Sequence, residues 1–406
     1  MNDFGFITNL AGVANRIAAE TVELLDASDR ELLRLIRNEL KGLSFRPTAA
    51  VEKRLIEIEK QVREIRDRAI KKATENLMEN AIEVGSAASS RAAATLSLLT
   101  DQSLKTTSES AMEQLAKRQP FGGNTIQQWF KNLADADTSR IMQQVRQGLT
   151  TGTSVETIVR TIRGTKEYNY SDGILQTSRR SAVTLARTTI NGMANNARLK
   201  TFVDNADVID GLKFVATLDH RTSQLCAYYD GKIWKKHEWD KIVVPPLHPA
   251  CRSTIVAWIE GMDDVGERPA ERENFDDLAK DEYEQRTGKN WDDLSDTTRK
   301  GYRYKEMRRY EDETGKSAYK QVSAREDFRS FFDKQSADFQ RSWLGVTRYE
   351  AFKDGSLTLD DLISPDTRFT RTVSDLKALG KIDAPRDAAK SAEKHLDDIT
   401  RFLRDL

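Results

Sequence analysis

Cysteine, histidine and proline are scarce in this chain of 406 residues, at two, four and eight copies. Two cysteines in a chain this long do not make a disulfide framework, and in a reducing compartment both stay thiols or thiolates. Long apolar runs are missing too: none approaches the roughly 18 residues that a bilayer-spanning helix needs. The opening stretch, MNDFGFITNLAGVANRIAAE, has neither a basic n-region nor a cleavage-site pattern. The expectation is a soluble, non-exported chain. Net charge is also absent, because 64 basic residues balance 64 acidic ones, which argues against a bulk condenser of nucleic acid.

What is abundant is charge of both signs. Charged residues make up 32% of the chain against 38% hydrophobic, a ratio suited to long solvated helices or to surfaces covered by partners. The signs are unevenly spread: residues 1–200 carry 29 basic and 23 acidic groups, 201–260 carry 7 and 8, and 261–406 carry 28 and 33. The length itself suggests two or three units.

From Asn9 to about Glu83 apolar residues recur at three- and four-residue steps. Leu25, Leu32, Ile36 and Leu40 form one series and Leu55, Ile58, Val62, Ile65 and Ala69 another, as in a helical hairpin or coiled coil with a charged outer face. Gly42 and Pro47 break the pattern between them. Residues 84–118 are rich in Ala, Ser and Thr, so a helix there packs closely on a neighbour or is ordered by a partner. Thr125 is a plausible N-cap for IQQWFKNLADAD, Ser154 opens another helix, and 174–203 is a long helix. Between 139 and 200 ten basic residues face three acidic ones. Arg179, Arg180, Arg187, Arg198 and Lys200 are therefore candidate phosphate contacts.

The chemically dense stretch is Phe214–Ile259. It holds both cysteines, three of the four histidines, three of the six tryptophans and the one Pro-Pro pair. GLKFVATLD, GKIW and STIVAWI read as three short strands, a small α+β unit on which the 174–203 helix packs. Cys226 with His248-x-x-Cys251 supplies three borderline-soft metal ligands, with Asp219, His220 or His237 as a fourth, a set that zinc accepts. Two other readings stand beside it. The cysteines act as buried small apolar groups with His248 bonded to a carbonyl, or Cys226, His248 and Asp219 form a nucleophilic triad. Arg221 and Arg252 are structural candidates through Asp219–Arg252 or Asp230–Arg221 pairing, with Gly231 in the Tyr-Asp-Gly turn.

The fold class expected is mainly α with a small α+β central domain: long N-terminal helices, a short-stranded sheet around 212–259 and a helical C-terminal region. Its expected parts are a helical region 1–130 for assembly and docking, a central domain 131–260, a linker 261–274, and a charged region 275–406. In that last region Tyr283, Trp291, Phe328, Phe331, Phe332, Phe339 and Trp343 anchor small helices rather than a large core. A final amphipathic helix is expected over 385–406.

ARTTINGMANNAR (186–198), TLDHRTSQLCAYYDGKIW (217–234) and PPLHPACRSTIVAW (245–258), in that order, resemble the phage Mu F-like minor head proteins, the phage head morphogenesis family. FFDKQSADFQRSWLGVTRYEAFKDGSLTLDDLI, at 331–363, resembles a piece found downstream in the same proteins. The resemblance implies a non-enzymatic minor protein of a tailed-phage virion, assembled in the host cytoplasm and held at the portal vertex or head interior. Portal and inner capsid proteins are its implied partners, with self-association or several copies per virion and no membrane. An ejected protein that binds double-stranded DNA is the second reading, and a zinc- or cysteine-dependent hydrolase the third. The family's Cys, His and Cys positions correspond to Cys226, His248 and Cys251.

Overall fold

The three- and four-residue apolar spacing of the first hundred residues becomes two long helices, α1 (Asp3–Leu40) and α2 (Ala49–Thr100). The structure is a computed structural model and describes residues 3–43, 48–168, 170–262, 267–272 and 274–382. Two compact units form, Met1–Phe214 with Ile233–Gly266, and Val215–Lys232 with Glu267–Leu406. The helix expected over 385–406 lies outside the described residues.

In the first unit α1 and α2 are joined by α3 (Glu109–Arg118), α4 (Ile126–Thr150), α5 (Val155–Arg163) and α6 (Ile174–Asp204). Their starts are set by side chains that accept otherwise unpaired amides: Thr48 from Val51, Ser108 from Ala111 and Ser154 from Thr157. Thr125 and Gln128 form a reciprocal capping box. On α2 the expected stripe Leu55, Ile58, Val62, Ile65 and Ala69 is buried. Further along, Gly85, Ala88, Ser89 and Ala92 present almost no bulk, and α6 packs against this stretch. A Cβ on Gly85 would meet the Met193 Cε at 2.9 Å. The boundary expected at residue 130 falls inside α4, whose Phe130 and Leu133 share one apolar cluster with Ala182, Ala186 and Ile190 of α6. Residues on both sides of 130 therefore bury a common surface.

That surface is interrupted by one charged layer. Arg66 of α2, only 1% exposed, donates to Ser28 and Asp29 of α1 at 3.0 Å and to Asp137 of α4 at 2.7 Å. From α6, Ser178 donates to Asp137 and Arg179 to Asp26 and Asp29. On each of the four helices these residues fall, in sequence, between the members of two apolar clusters. One cluster runs through Leu25, Ala69, Leu133 and Ala182, the other through Leu32, Ile65, Ile141 and Leu175. Burial pushes the Asp29 carboxyl up to about 6 against the pull of Arg66 and Arg179. A buried ion network contributes little net stability, but a shifted helix register would strand its charges.

The expected strands are β1 (Gly211–Val215), β2 (Ile233–Lys235) and β3 (Thr254–Trp258), in the order β2-β1-β3. β1 and β2 are antiparallel, with Leu212 opposite Trp234. Gly211 is required there because the Trp234 carbonyl oxygen would lie 2.7 Å from a Cβ. Leu212 and Ile255 join Phe202 of α6 and Leu96 of α2 in a third cluster.

The second unit holds α7 (Gln224–Tyr229) and a hairpin-like pair, β4 (Glu267–Glu271) and β5 (Tyr319–Ser323), antiparallel with Pro269 opposite Gln321. α8 (Phe275–Thr287), α9 (Asp296–Thr314), α10 (Phe328–Asp333), α11 (Ala337–Leu344), α12 (Val346–Lys353) and α13 (Val373–Ala378) complete it. Two expectations are corrected. The segment 261–274 contains β4 rather than only linker, because Arg268 is anchored and Leu218 continues the backbone pairing on its other side. The aromatic residues also do more than anchor separate helices. Phe328, Phe331, Phe332 and Phe339 lie in one cluster with Leu218, Leu344, Leu362 and Leu376, since short helices in sequence can bury their rings only against one another.

Candidate functional site

Helix α6 carries a buried stripe that is polar where an apolar one would be ordinary: Thr188, Asn191, Asn195 and Arg198. Their three- and four-residue spacing puts them on one face, and that face holds the backbone leading into β3. Thr188 Oγ1 accepts the Ala250 N–H at 2.8 Å, where Ala250 sits at φ 54. Asn191 and Asn195 donate to the Ser253 carbonyl at 3.2 and 3.1 Å. Asn195 Oδ1 accepts from Thr254 Oγ1 at 2.8 Å and from the Ile255 N–H at 3.1 Å, and Arg198 donates to the Ile255 carbonyl at 3.0 Å. The motif at 186–198 and the motif at 245–258 are thus two halves of one clamp. Sequence reasoning missed Thr188, Asn191 and Asn195 as functional residues. Their signal was present as polar side chains at core spacing in an otherwise apolar helix face.

The clamp fixes the turn that presents His248 and Cys251, closed by the Cys251 N–H on the His248 carbonyl at 3.2 Å. His248 Nδ1 lies 3.0 Å from the Pro249 carbonyl oxygen. A carbonyl can only accept, so Nδ1 carries the proton and Nε2 is the ring's acceptor atom in the neutral form. Burial works against the charged imidazole, but the hydrogen bond and charge of Cys251 and the Pro249 carbonyl outweigh it and raise its pKa above the ordinary value. Cys226 lies in the first turn of α7, where Ser223 accepts its amide at 3.2 Å. Both thiols are buried, and neither is in a disulfide. His248 and Cys251 lie in the first unit and Cys226 in the second.

Asp219 is engaged elsewhere. It is fully buried, and its carboxylate accepts from Tyr319 OH at 2.8 Å, the Arg221 N–H at 3.0 Å and Thr222 Oγ1 at 3.1 Å. With the Nδ1 of His248 directed at a carbonyl, a Cys226–His248–Asp219 triad lacks its orienting carboxylate. His220 bonds Ser342 through Nε2 at 2.8 Å, packs edge-on to Phe339, and is held neutral by burial and then by Arg303, its pKa lowered to about 3. His237 is exposed.

One of the expected structural pairings is replaced by another. Asp230 pairs with Arg268 rather than Arg221, at 2.7 Å with both side chains buried. Its two oxygens also accept the Ala216 and Phe328 N–H groups, each at 2.6 Å. Arg221 is exposed and reaches Tyr319 OH at 2.9 Å and Asp219 at 3.7 Å. Its position two residues after Asp219 keeps it on that side of the turn. Gly231 takes φ 81 after Asp230, and Arg252 is half-buried. The structure separates the five candidate phosphate contacts. Arg198 is enclosed by the clamp, Arg179 belongs to the charged layer, and Lys200 pairs with Asp204 at 2.6 Å. Arg180 and Arg187 lie on exposed positions of α6.

A long-helix bundle whose last helix clamps a short-stranded sheet defines an α-rich protein with a small α+β module. Residues 139–256, from within α4 to within β3, match the family model described as Phage Mu protein F like protein. That family is a structural one of phage head morphogenesis. No curated protein and no solved structure matches the chain.

Proposed function

We propose that this protein is a non-enzymatic minor head protein of a tailed bacteriophage, held at the portal or inner shell and aiding head assembly or genome delivery. The observation that supports it is the family match, which spans the clamp in which Asn195 holds the Ser253 carbonyl and the Ile255 N–H. Docking falls to the N-terminal helices, whose outer face on α2 includes the exposed Glu57, Lys60 and Glu64. Because α1 and α2 wall the core, truncation would unfold the bundle, and surface substitutions are the better probe. In purified virions the protein should be found by mass spectrometry, and the full chain should co-purify with the portal protein. Reversing the charges of Glu57, Lys60 and Glu64 together should reduce that recovery. Absence from virions, or normal filled heads made without the protein, would overturn the proposal. The reading as an ejected DNA-binding protein keeps Arg180, Arg187 and Lys200, which lie on exposed positions of α6.

We also infer that Cys226, His248 and Cys251 hold a zinc ion. Two thiolates and an imidazole suit it, and an Nδ1–H donated to a carbonyl is the orientation that a ligating histidine commonly has. Such an ion would act as a fastener. Elemental analysis of purified protein should find zinc, and Cys251→Ser should lose it. Metal-free protein of unchanged stability would sink the inference.

A further inference from the structure

The second unit contains a pocket of about 520 Å³ that the head-protein reading does not use. One wall is a face of α9, on which Lys300, Tyr304 and Arg308 follow at four-residue intervals, and the other is the turn carrying Arg221. Four cationic side chains line it, Arg221, Lys300, Arg303 and Arg308, against one carboxylate, Glu311.

The acids beneath the pocket are already committed. Glu271 and Asp276 both pair with Arg303, which forms a buried and neutralised floor. Asp219 is occupied by Tyr319 and the turn amide. The cations at the rim are committed less. Arg221 has its carboxylate contact at 3.7 Å, Arg308 meets Glu311 at 3.5 Å, and Lys300 has no ion pair among the described residues. All three are exposed, as is the ring of Tyr304.

We propose that this pocket binds a nucleotide, with the phosphate on Arg221, Lys300 and Arg308 and the base against Tyr304. Three convergent cations, two of them guanidinium forks, suit a phosphate dianion better than a single carboxylate. The volume falls within the range of small-molecule sites and exceeds what a bare anion fills. An exposed aromatic ring beside the cations offers the stacking face that a base uses.

The test is calorimetric titration of the full chain with AMP, inorganic phosphate, and an oligonucleotide with and without a 5′-phosphate. AMP should saturate and bind at least about fivefold tighter than phosphate, the low end of one base stacked on an aromatic ring. Lys300→Gln with Arg308→Gln should weaken AMP about tenfold or more, as loss of charge-assisted bonds implies, while a circular-dichroism melt shows the fold unchanged. Tyr304→Ala should remove the advantage of AMP and leave phosphate binding as it was. An oligonucleotide that binds only when 5′-phosphorylated would identify a strand end as the source, and AMP binding alone would identify a free nucleotide. No saturation, AMP no tighter than phosphate, or affinity untouched by the charge substitutions would overturn the proposal.

Discussion

Asp137 offers the sharpest test of the charged layer in the first unit. Asp137→Ala removes the 2.7 Å partner of Arg66 and the acceptor of Ser178, and leaves a guanidinium that is 1% exposed. Asp29 remains at 3.0 Å from Arg66, but its other oxygen already serves Arg179. Removing one partner of a buried ion pair costs about 3–5 kcal/mol, a large share of the roughly 5–15 kcal/mol that holds a domain folded. The matched control is Arg63→Ala, which breaks the half-exposed pair with Asp135 at 2.5 Å. Such pairs contribute about 0–1 kcal/mol. Urea titration of the full chain, followed by far-ultraviolet circular dichroism, should show the loss for Asp137→Ala and almost none for Arg63→Ala. Replacing the pair together, Arg66→Met with Asp137→Leu, should recover most of the stability. A cost below about 1 kcal/mol for Asp137→Ala, or one equal to the control, would refute the view that this layer confines the helix register.

Asp230→Ala should cost a similar 3–5 kcal/mol in the second unit by stranding Arg268 and two amides, read as a lowered melting temperature. Asn195→Ala leaves the Ile255 N–H without its acceptor and should cost about 1–3 kcal/mol; an unchanged melt would mean that the clamp is not structural. Gly192→Ala places a Cβ 2.3 Å from the Phe121 ring, so a loss of about 1–3 kcal/mol from overpacking is expected. His220 is neutral in the folded state down to about 3, whereas its unfolded value is 6.5. The unfolded chain takes up the proton first, so the second unit should lose stability as pH falls from 6.5 toward 3. Asp276, raised by burial from 3.8 to about 7, has the opposite sense, losing stability as pH rises between those values. His220→Gln should remove the first slope and keep the second, as pH-dependent melts would show.

Periodicity was enough to recover much of this fold. The stripe from Leu55 to Ala69, the caps at Thr125 and Ser154, the helix over 174–203 and the three short strands are local patterns, each set by spacing of three to four or of two. Proximity in sequence likewise brought His248 and Cys251 into view as a pair. The pairings of Asp230 with Arg268, of Arg66 with Asp29 and Asp137, and of Asn195 with Ile255 were not legible, because their partners lie 37 to 71 residues away. Any of the chain's 64 basic residues is an equal match by charge alone.

The phosphate candidates on α6 show the same divide. As letters, Arg179, Arg180, Arg187 and Arg198 are alike, and their excess over acids is a property of composition. Packing alone separates them, turning Arg198 toward a strand carbonyl and Arg179 toward α1 while Arg180 and Arg187 stay outside. The sequence by itself determined the long helices, several of their starts, and the motifs that carry the family resemblance. The tertiary structure decided which polar groups are spent inside and which are left for a partner, because burial and pairing depend on neighbours that only the folded chain brings together.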